Sequence, residues 1–419
     1  MPLAADLKDI AMPSALEKYA EINVPRYTSY PTAPHFSTSF PAATYREWLT
    51  RLDPGEPISL YLHVPFCKQM CWYCGCNMKL AARYSPVATY VRHLLEEIDL
   101  IADALPGRMP VSHLHFGGGT PTVLEPEDLA AVMAHLSTRF HLLPNAEIAI
   151  ESDPRTLTDA MIGQVGSLHF NRASFGVQEF DPKVQAAINR IQPPEMVARA
   201  VGGLRAAGVP NINFDLIYGL PHQTTAALCR TIEQCVAIKP DRVALFGYAH
   251  VPWVAKNQRM IDDDALPIAS ERAEQAQAAA KALVSSSYIR IGIDHFALPG
   301  DSLTIAAAAG CLHRNFQGYT SDTARTLIGI GATAIGRTPQ GYVQNASETG
   351  AWSRAVAAGK LPIARGHALR EQDSLRSHVI ERIMCDGSVD LSATGRALGF
   401  EEDWYAEEVL ELSVCPKSS

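Results

Sequence analysis

The chain of 419 residues contains no run of eighteen apolar residues, so nothing in it reads as a membrane-spanning helix. It has no block of five or more Lys or Arg, and 44 acidic against 36 basic residues leave a formal net charge of −8. That balance argues against nucleic acid or an anionic membrane as the main partner. The first ten residues, MPLAADLKDI, carry acids and no apolar centre, so they do not read as a signal peptide. Nine cysteines, an odd number scattered through a long chain, make a poor disulfide framework. Reduced cysteines and the lack of a leader place the expected compartment in the cytoplasm. What remains is an ordinary composition, 47% hydrophobic and 19% charged, enough for one large domain with extensions or two to three smaller ones.

The feature that departs from the ordinary is a run of four cysteines in ten residues, Cys67-Lys68-Gln69-Met70-Cys71-Trp72-Tyr73-Cys74-Gly75-Cys76. A structural zinc site draws C-x2-C pairs from two separated places, and no second Cys/His pair of that spacing follows here. Buried inert thiols are a poor fit too, because Lys68 and Gln69 interrupt the apolar run. C-x3-C-x2-C instead lets one short loop wrap three thiolates around an iron–sulfur cube and leave the fourth iron open. An open iron on a redox cluster is a place to bind and split a small molecule.

Short apolar strands alternate with amphipathic helices along the first 250 residues. The expected strands are 58–64, 112–116, 146–152, 169–177, 211–219 and 242–248. Helices are expected over 87–105, 126–140, 156–165, 182–207 and 224–238. Six such units predict a parallel sheet, curled by right-handed crossovers into a partial (β/α)6 TIM-like barrel of the α/β class. In such barrels the chemistry sits at the C-terminal ends of the strands. The cysteine loop follows the first strand, Gly117-Gly118-Gly119-Thr120-Pro121 the second, and Glu151 ends the third. Gln178, Asp215 and the Tyr248-Ala249-His250 segment close the fourth, fifth and sixth. The domains read as an N-terminal arm (1–50), the partial barrel (51–300), a substrate-pocket extension (301–350) and a C-terminal helical domain (351–419).

With CxxxCxxC after the first strand and GGGTP after the second, the chain resembles the radical S-adenosylmethionine enzymes. More narrowly it resembles the oxygen-independent coproporphyrinogen III oxidases, over roughly residues 20–390. The stretches that carry this are Pro25-Arg26-Tyr27-Thr28-Ser29-Tyr30-Pro31-Thr32, Leu114-His115-Phe116-Gly117-Gly118-Gly119-Thr120, Glu151-Ser152-Asp153-Pro154-Arg155, Phe214-Asp215-Leu216-Ile217-Tyr218-Gly219-Leu220-Pro221 and Leu312-His313-Arg314-Asn315-Phe316-Gln317-Gly318-Tyr319-Thr320.

The resemblance implies a [4Fe–4S] cluster on Cys67, Cys71 and Cys74, with S-adenosylmethionine on the fourth iron. Cys76 is then an adjacent loop residue, since a fourth thiolate would close the open iron. A 5′-deoxyadenosyl radical would take a hydrogen from a propionate β-carbon, and loss of CO2 and one electron would leave a vinyl group. Tyr61, Gly118, Glu151 and Ile335 would contact the cluster-bound cofactor. Tyr73, Gly119, Thr120, Gln178, Arg190, Asp215 and Ala249 match positions that hold a second S-adenosylmethionine. Tyr61, His63, Glu151 and Gln317 are the catalytic candidates, although His63 also reads as a hydrogen-bonded core histidine.

The implied substrate, coproporphyrinogen III, carries four propionates and calls for cations. Arg26 and Arg314 suit bidentate carboxylate recognition, and either could equally form a salt bridge. Phe316 and Gln317 would line the same pocket, and the aromatic arm around Arg26 would fold over the barrel mouth. The resemblance also implies a monomer served by an electron donor and acceptor that the residues do not identify. A C-terminal domain shorter than the family pattern is expected, leaving Leu398, Trp404, Val409, Leu410 and Leu412 short of packing partners. Cys229, Cys235, Cys311, Cys385 and Cys415 are unpatterned and read as buried thiols. The alternative function is a related haem chaperone with no oxidase activity, but such relatives lack the PRYTSYPT and HRNFQGYT segments.

Overall fold

The computed structural model describes residues 29–400. Arg26 and the tail residues Trp404, Val409, Leu410, Leu412 and Cys415 lie outside them.

All six expected strands form: β1 (Ile58–Val64), β2 (Pro110–Gly118), β3 (His141–Ser152), β4 (Arg172–Gln178), β5 (Asn211–Tyr218) and β6 (Arg242–Gly247). They pair in chain order and in parallel. In β1 every side chain but Tyr61 is buried, as expected of a strand covered on both faces. The crossovers are α2 (Ser85–Ala102), α3 (Pro126–Arg139), α4 (Asp159–Ser167), α5 and α6 (Pro182–Ala187, Pro194–Ala206) and α7 (Thr225–Ile238), after a first helix α1 (Ala42–Thr50). Their starts are locally encoded. The Thr158 and Thr224 hydroxyls accept from Met161 and Ala227 backbone N–H groups, while Asp181 accepts from Lys183 and Val184 just before Pro182.

The sheet continues past the expected six strands on both sides. Beyond β6 lie β7 (Ile289–Ile291) and β8 (His295–Ala297), after helix α8 (Ala269–Ser285); both strands are antiparallel. Helix α9 (Ser302–Ala308) and a small hairpin, β9 (His313–Asn315) with β10 (Gly318–Thr320), follow. On the other side β11 (Leu327–Ile330) lies parallel against β1, with Ser59 opposite Leu327 and Leu62 opposite Ile330. Antiparallel strands β12 (Ile335–Thr338), β13 (Gly341–Asn345) and β14 (Ile363–Ala368) extend that edge, and helix α10 (Thr349–Ala357) packs behind. The order β14-β13-β12-β11-β1-β2-β3-β4-β5-β6-β8-β7 describes a curled open sheet with a parallel centre.

Ser37 of the arm and Gly366 of β14 exchange backbone hydrogen bonds at 2.8 and 3.0 Å, tying the two together. The C-terminal helices are α11 (Glu371–Asp386) and α12 (Leu391–Leu398). Leu398 is exposed. The buried-thiol reading holds for Cys235 and Cys385, but Cys229 is only half-buried and Cys311 is exposed, because it sits at the open end of α9. Among the described residues no helix is long and apolar enough to cross a membrane.

Candidate active site

The cysteine loop leaves β1 at Pro65 and is pinned at its base by backbone hydrogen bonds. Lys79 and Ala81 donate to the carbonyls of Pro65 and Cys67 at 2.7 and 2.9 Å. Gly119 and Thr120, after β2, donate to those of Val64 and Phe66 at 2.9 and 2.8 Å. The far side is held by amide side chains that sequence reasoning missed, beginning with Asn189 Nδ2, which donates to the Met70 carbonyl at 2.7 Å. Asn257 Nδ2 donates to the carbonyls of Cys71, Trp72 and Cys74, at 3.2, 3.1 and 2.8 Å. Gln258 Nε2 donates to Tyr73 and Ala249 carbonyls at 2.8 and 3.2 Å. An Asn-Gln pair in a loop after strand six carries no pattern that would have marked it.

Cations crowd Cys71. Its Sγ accepts from Arg155 Nη2 at 3.1 Å and Arg190 Nη1 at 3.3 Å, and both guanidiniums pair with Asp153, at 2.6 and 3.3 Å. Burial alone would raise Asp153, but the Arg190 charge and the Arg155 hydrogen bonds hold it below the usual carboxylate range. Arg155 and Asp153 stand at the end of β3 in a stretch legible only as part of a motif. The other sulfurs differ. A hydrogen bond from the Cys76 side chain draws Cys74 down to about 6, while burial pushes Cys67 up to about 11.

Tyr61 and His63 project from β1 beneath the glycine turn. Tyr61 Oη and His63 Nδ1 are hydrogen-bonded at 2.9 Å, and burial raises the tyrosine and lowers the histidine, so both are neutral near pH 7. Glu151 Oε2 accepts the Gly118 N–H at 3.0 Å, and Oε1 bonds His115 Nε2 at 3.1 Å. His115 in turn stacks on Tyr61, with ring centroids 5.8 Å apart. His115, also missed, sits two positions before the glycines, on the lumen side of β2. Gly118 has φ +120°, and a Cβ there would lie 2.7 Å from the His63 ring; one on Gly119 would lie 2.7 Å from the Phe66 carbonyl. The glycines are therefore required by contacts within the protein, in addition to any approach to a cofactor.

These groups open on a cavity of about 250 Å³ lined by Cys67, Cys71, Cys74, Tyr73, Gly118, Gly119, Thr120, Glu151, Gln178, Arg190 and Asp215. Eleven expected site residues thus converge on one space. Ala249 is not brought into the lining: its carbonyl accepts from Gln258, which also holds the carbonyl of the lining residue Tyr73. Ile335 is not brought into this cavity: the 331–334 turn carries the chain across the end of β1 before β12 begins, and Ile335 lines a different space. Through Cys76, Glu151, Ser174, Asp215 and Phe246 the cavity continues into the barrel lumen, about 420 Å³, where Gln317 lies. Arg314 and Phe316 face a third cavity beside the lumen.

The donor chemistry fits the implied groups. Three thiols on one loop, with two guanidiniums on one sulfur, suit an anionic iron–sulfur cluster. Among the described residues no three Cys, His, Asp or Glu side chains converge to grip a single ion. In the same cavity Gln178 Oε1 is buried with no hydrogen-bond partner, as an acceptor awaiting a ligand would be. Burial and the nearby Glu151 raise Asp215 to about 7. A cationic ligand would restore its charge.

Residues 61–235 match the model of the radical SAM superfamily. The chain is 52% identical over 373 residues to the oxygen-independent coproporphyrinogen III oxidase of Bradyrhizobium diazoefficiens, covering 89% of this chain and 83% of that one. It is 43% identical to the enzyme of the same name from Paracoccus denitrificans, covering 91% and 85%. Coproporphyrinogen III oxidase of Escherichia coli, described as a radical SAM enzyme, superposes with a TM-score of 0.88 at 37% identity, covering 93% of this chain and 89% of that one. With the cysteine and glycine motifs in one cavity and relatives this similar over most of their length, the chain belongs to the oxygen-independent coproporphyrinogen III oxidases.

Proposed function

We infer that this chain carries out the reaction for which its relatives are named, the oxygen-independent conversion of coproporphyrinogen III to protoporphyrinogen IX in haem biosynthesis. The observation that carries the reading is the three-thiol loop opening, through Glu151 and Asp215, into a lumen large enough to admit part of a substrate. Each of two propionates loses one hydrogen atom, CO2 and one electron and becomes a vinyl group. When bound, the [4Fe–4S] cluster and S-adenosylmethionine supply the chemistry that removes the hydrogen atom.

The chain's own residues position and shield. Cys67, Cys71 and Cys74 would hold the cluster, and Arg155 and Arg190 offset the charge on Cys71. Glu151, fixed by the Gly118 N–H and His115, presents a carboxylate to ribose hydroxyls. Tyr61 and His63 hold the strand end beneath it and supply a neutral O–H and imidazole. Gln178, Arg190 and Asp215, with Tyr73, Gly119 and Thr120 around them, suit a second cationic cofactor. Gln317 would meet the substrate in the lumen, with Arg314 and Phe316 beside it; an electron donor and an acceptor complete the cycle.

The test is anaerobic reconstitution of the cluster, followed by dithionite, S-adenosylmethionine and coproporphyrinogen III. 5′-Deoxyadenosine together with protoporphyrinogen IX is the expected outcome. Haem binding with neither product would overturn the oxidase reading in favour of a chaperone.

A further inference from the structure

The cavity beside the lumen, about 240 Å³, shares Asn315, Thr320, Asp322 and Leu327 with it. Arg314, Arg325 and Arg337 line it, from the β9–β10 hairpin, the segment before β11, and β12. Its two acids are already engaged. Glu381 Oε1 accepts from the Arg314 backbone N–H at 3.1 Å and bonds His313 Nδ1 at 3.2 Å. Asp322 pairs with His113 at 3.0 Å and also accepts from Ala324 N–H and the Ser59 hydroxyl.

The guanidiniums are not engaged in this way. Arg314 lies 4.4 Å over the Tyr319 ring, which sets its plane, and its Nε and Nη1 are buried with no hydrogen-bond partner. Arg337 lies over the Tyr342 ring at 5.9 Å. Among the described residues, arginine ion pairs are made by others, such as Arg155, Arg172, Arg190, Arg242 and Arg382, and none by these three. A chain of net charge −8 therefore gathers three guanidiniums without a direct ion pair around one cavity, Arg314 with buried free N–H groups, Arg337 half-buried and Arg325 at the exposed rim. Buried guanidinium N–H groups without acceptors are costly, and carboxylates match their planar donor fork. One wall is aromatic: Phe316 packs edge-on against Phe36 and Tyr342, a surface suited to a flat, apolar ring.

We propose that this cavity is a carboxylate-binding subsite, in which Arg314, Arg325 and Arg337 hold substrate propionates that are not reacting. It rests on the oxidase reading above, and it assigns Arg325 and Arg337 to substrate binding and Arg314 to a shared site with them. A tetrapyrrole anchored here by one edge extends toward Glu151 through the residues common to the two cavities.

The test needs no cluster: the purified full-length chain is titrated by fluorescence with coproporphyrin III, the non-reacting oxidised form. Arg337→Ala should weaken binding about tenfold, and Arg325→Ala with Arg337→Ala further still. Arg337→Lys should recover part of the loss, covering the case in which the alanine variant folds poorly. Arg354→Ala, on the exposed face of α10, should bind as the wild type does. The tetramethyl ester of coproporphyrin should show no sensitivity to any of these changes. Equal binding of the tetra-acid by the wild type and a folded double variant overturns the subsite, as does equal weakening by Arg354→Ala. No binding to the wild type at all overturns the oxidase reading itself, and the subsite with it.

Discussion

The cysteine cavity and the arginine cavity both gather cations inside an acidic protein, but they finish differently. Around Cys71, Arg155 and Arg190 are tied to a sulfur and to Asp153, and the loop carbonyls are held by Asn257 and Gln258. Around Arg314 the protein leaves donors without acceptors. The first arrangement suits a resident group, because its pieces are held rigidly before it binds. The second suits a visitor whose charges complete the site only while it stays. Cofactor recognition is thus built into one end of the lumen, and the substrate end is left electrostatically unfinished.

The largest expected effect would show whether three thiols or four define the resident end. Cys67→Ser, Cys71→Ser or Cys74→Ser should abolish product formation and leave the reconstituted protein short of iron and acid-labile sulfide. Cys76→Ser should keep its iron. A loss of iron in the last variant equal to the others would make Cys76 a ligand.

Next is the claim that the cations there are fully compensated. Asp153→Asn leaves Arg155 and Arg190 buried without their carboxylate, which should cost about 3 kcal/mol or more in denaturant-unfolding stability. The matching experiment at the arginine cavity, Glu381→Gln, removes a carboxylate from a surplus of cations. It should weaken stability by about 1 kcal/mol and tighten coproporphyrin III binding. Equal destabilisation by the two substitutions would erase the contrast.

Glu97 ties together the turn after β11, the end of β13 and α10. Its carboxylate accepts from Gly331 N–H, Trp352 Nε1 and Asn345 Nδ2, at 2.7, 2.8 and 2.6 Å, and burial raises its pKa from 4.5 to about 7. The folded chain therefore keeps a proton that the unfolded chain loses between those values. This contribution is complete below about pH 4.5 and is lost as pH rises through about 7, on the order of 3 kcal/mol in all. Glu97→Gln should flatten that part of the stability profile, read from urea midpoints between pH 5 and 8. An unchanged slope would show that Glu97 is ionised in the fold.

The smallest effect tests the clamp. Asn257→Ala should cost roughly 1–2 kcal/mol and speed the loss of iron to a chelator several-fold, with little change in coproporphyrin III binding.

The six parallel strands were legible because strands covered on both faces leave continuous apolar runs, as ISLYLHV does. The cysteine loop was legible because its ligands are local. β11 was not: LIGI is four residues long, and no periodicity says that it will lie beside β1. Arg314 was found through its motif, whereas Arg325 and Arg337 join it only through the placement of separate strands. Asn257 and Gln258 act through carbonyls that no pattern of side chains reveals. Gly118 was read as room for a cofactor, yet a Cβ there would first meet His63.

The pairing of β11 with β1 also sets a timetable for the chain as it is made. β1 and its neighbour β2 are translated early, but its other neighbour, Leu327–Ile330, leaves the ribosome only after the whole barrel has been translated. At ordinary elongation rates that is a wait on the order of 15–50 s. Throughout it the strand carrying Tyr61 and His63 presents an open hydrogen-bonding edge beside the cysteine loop. The nascent chain is therefore expected to depend on chaperone cover in that interval, and to be least tolerant of slow codons between residues 300 and 327.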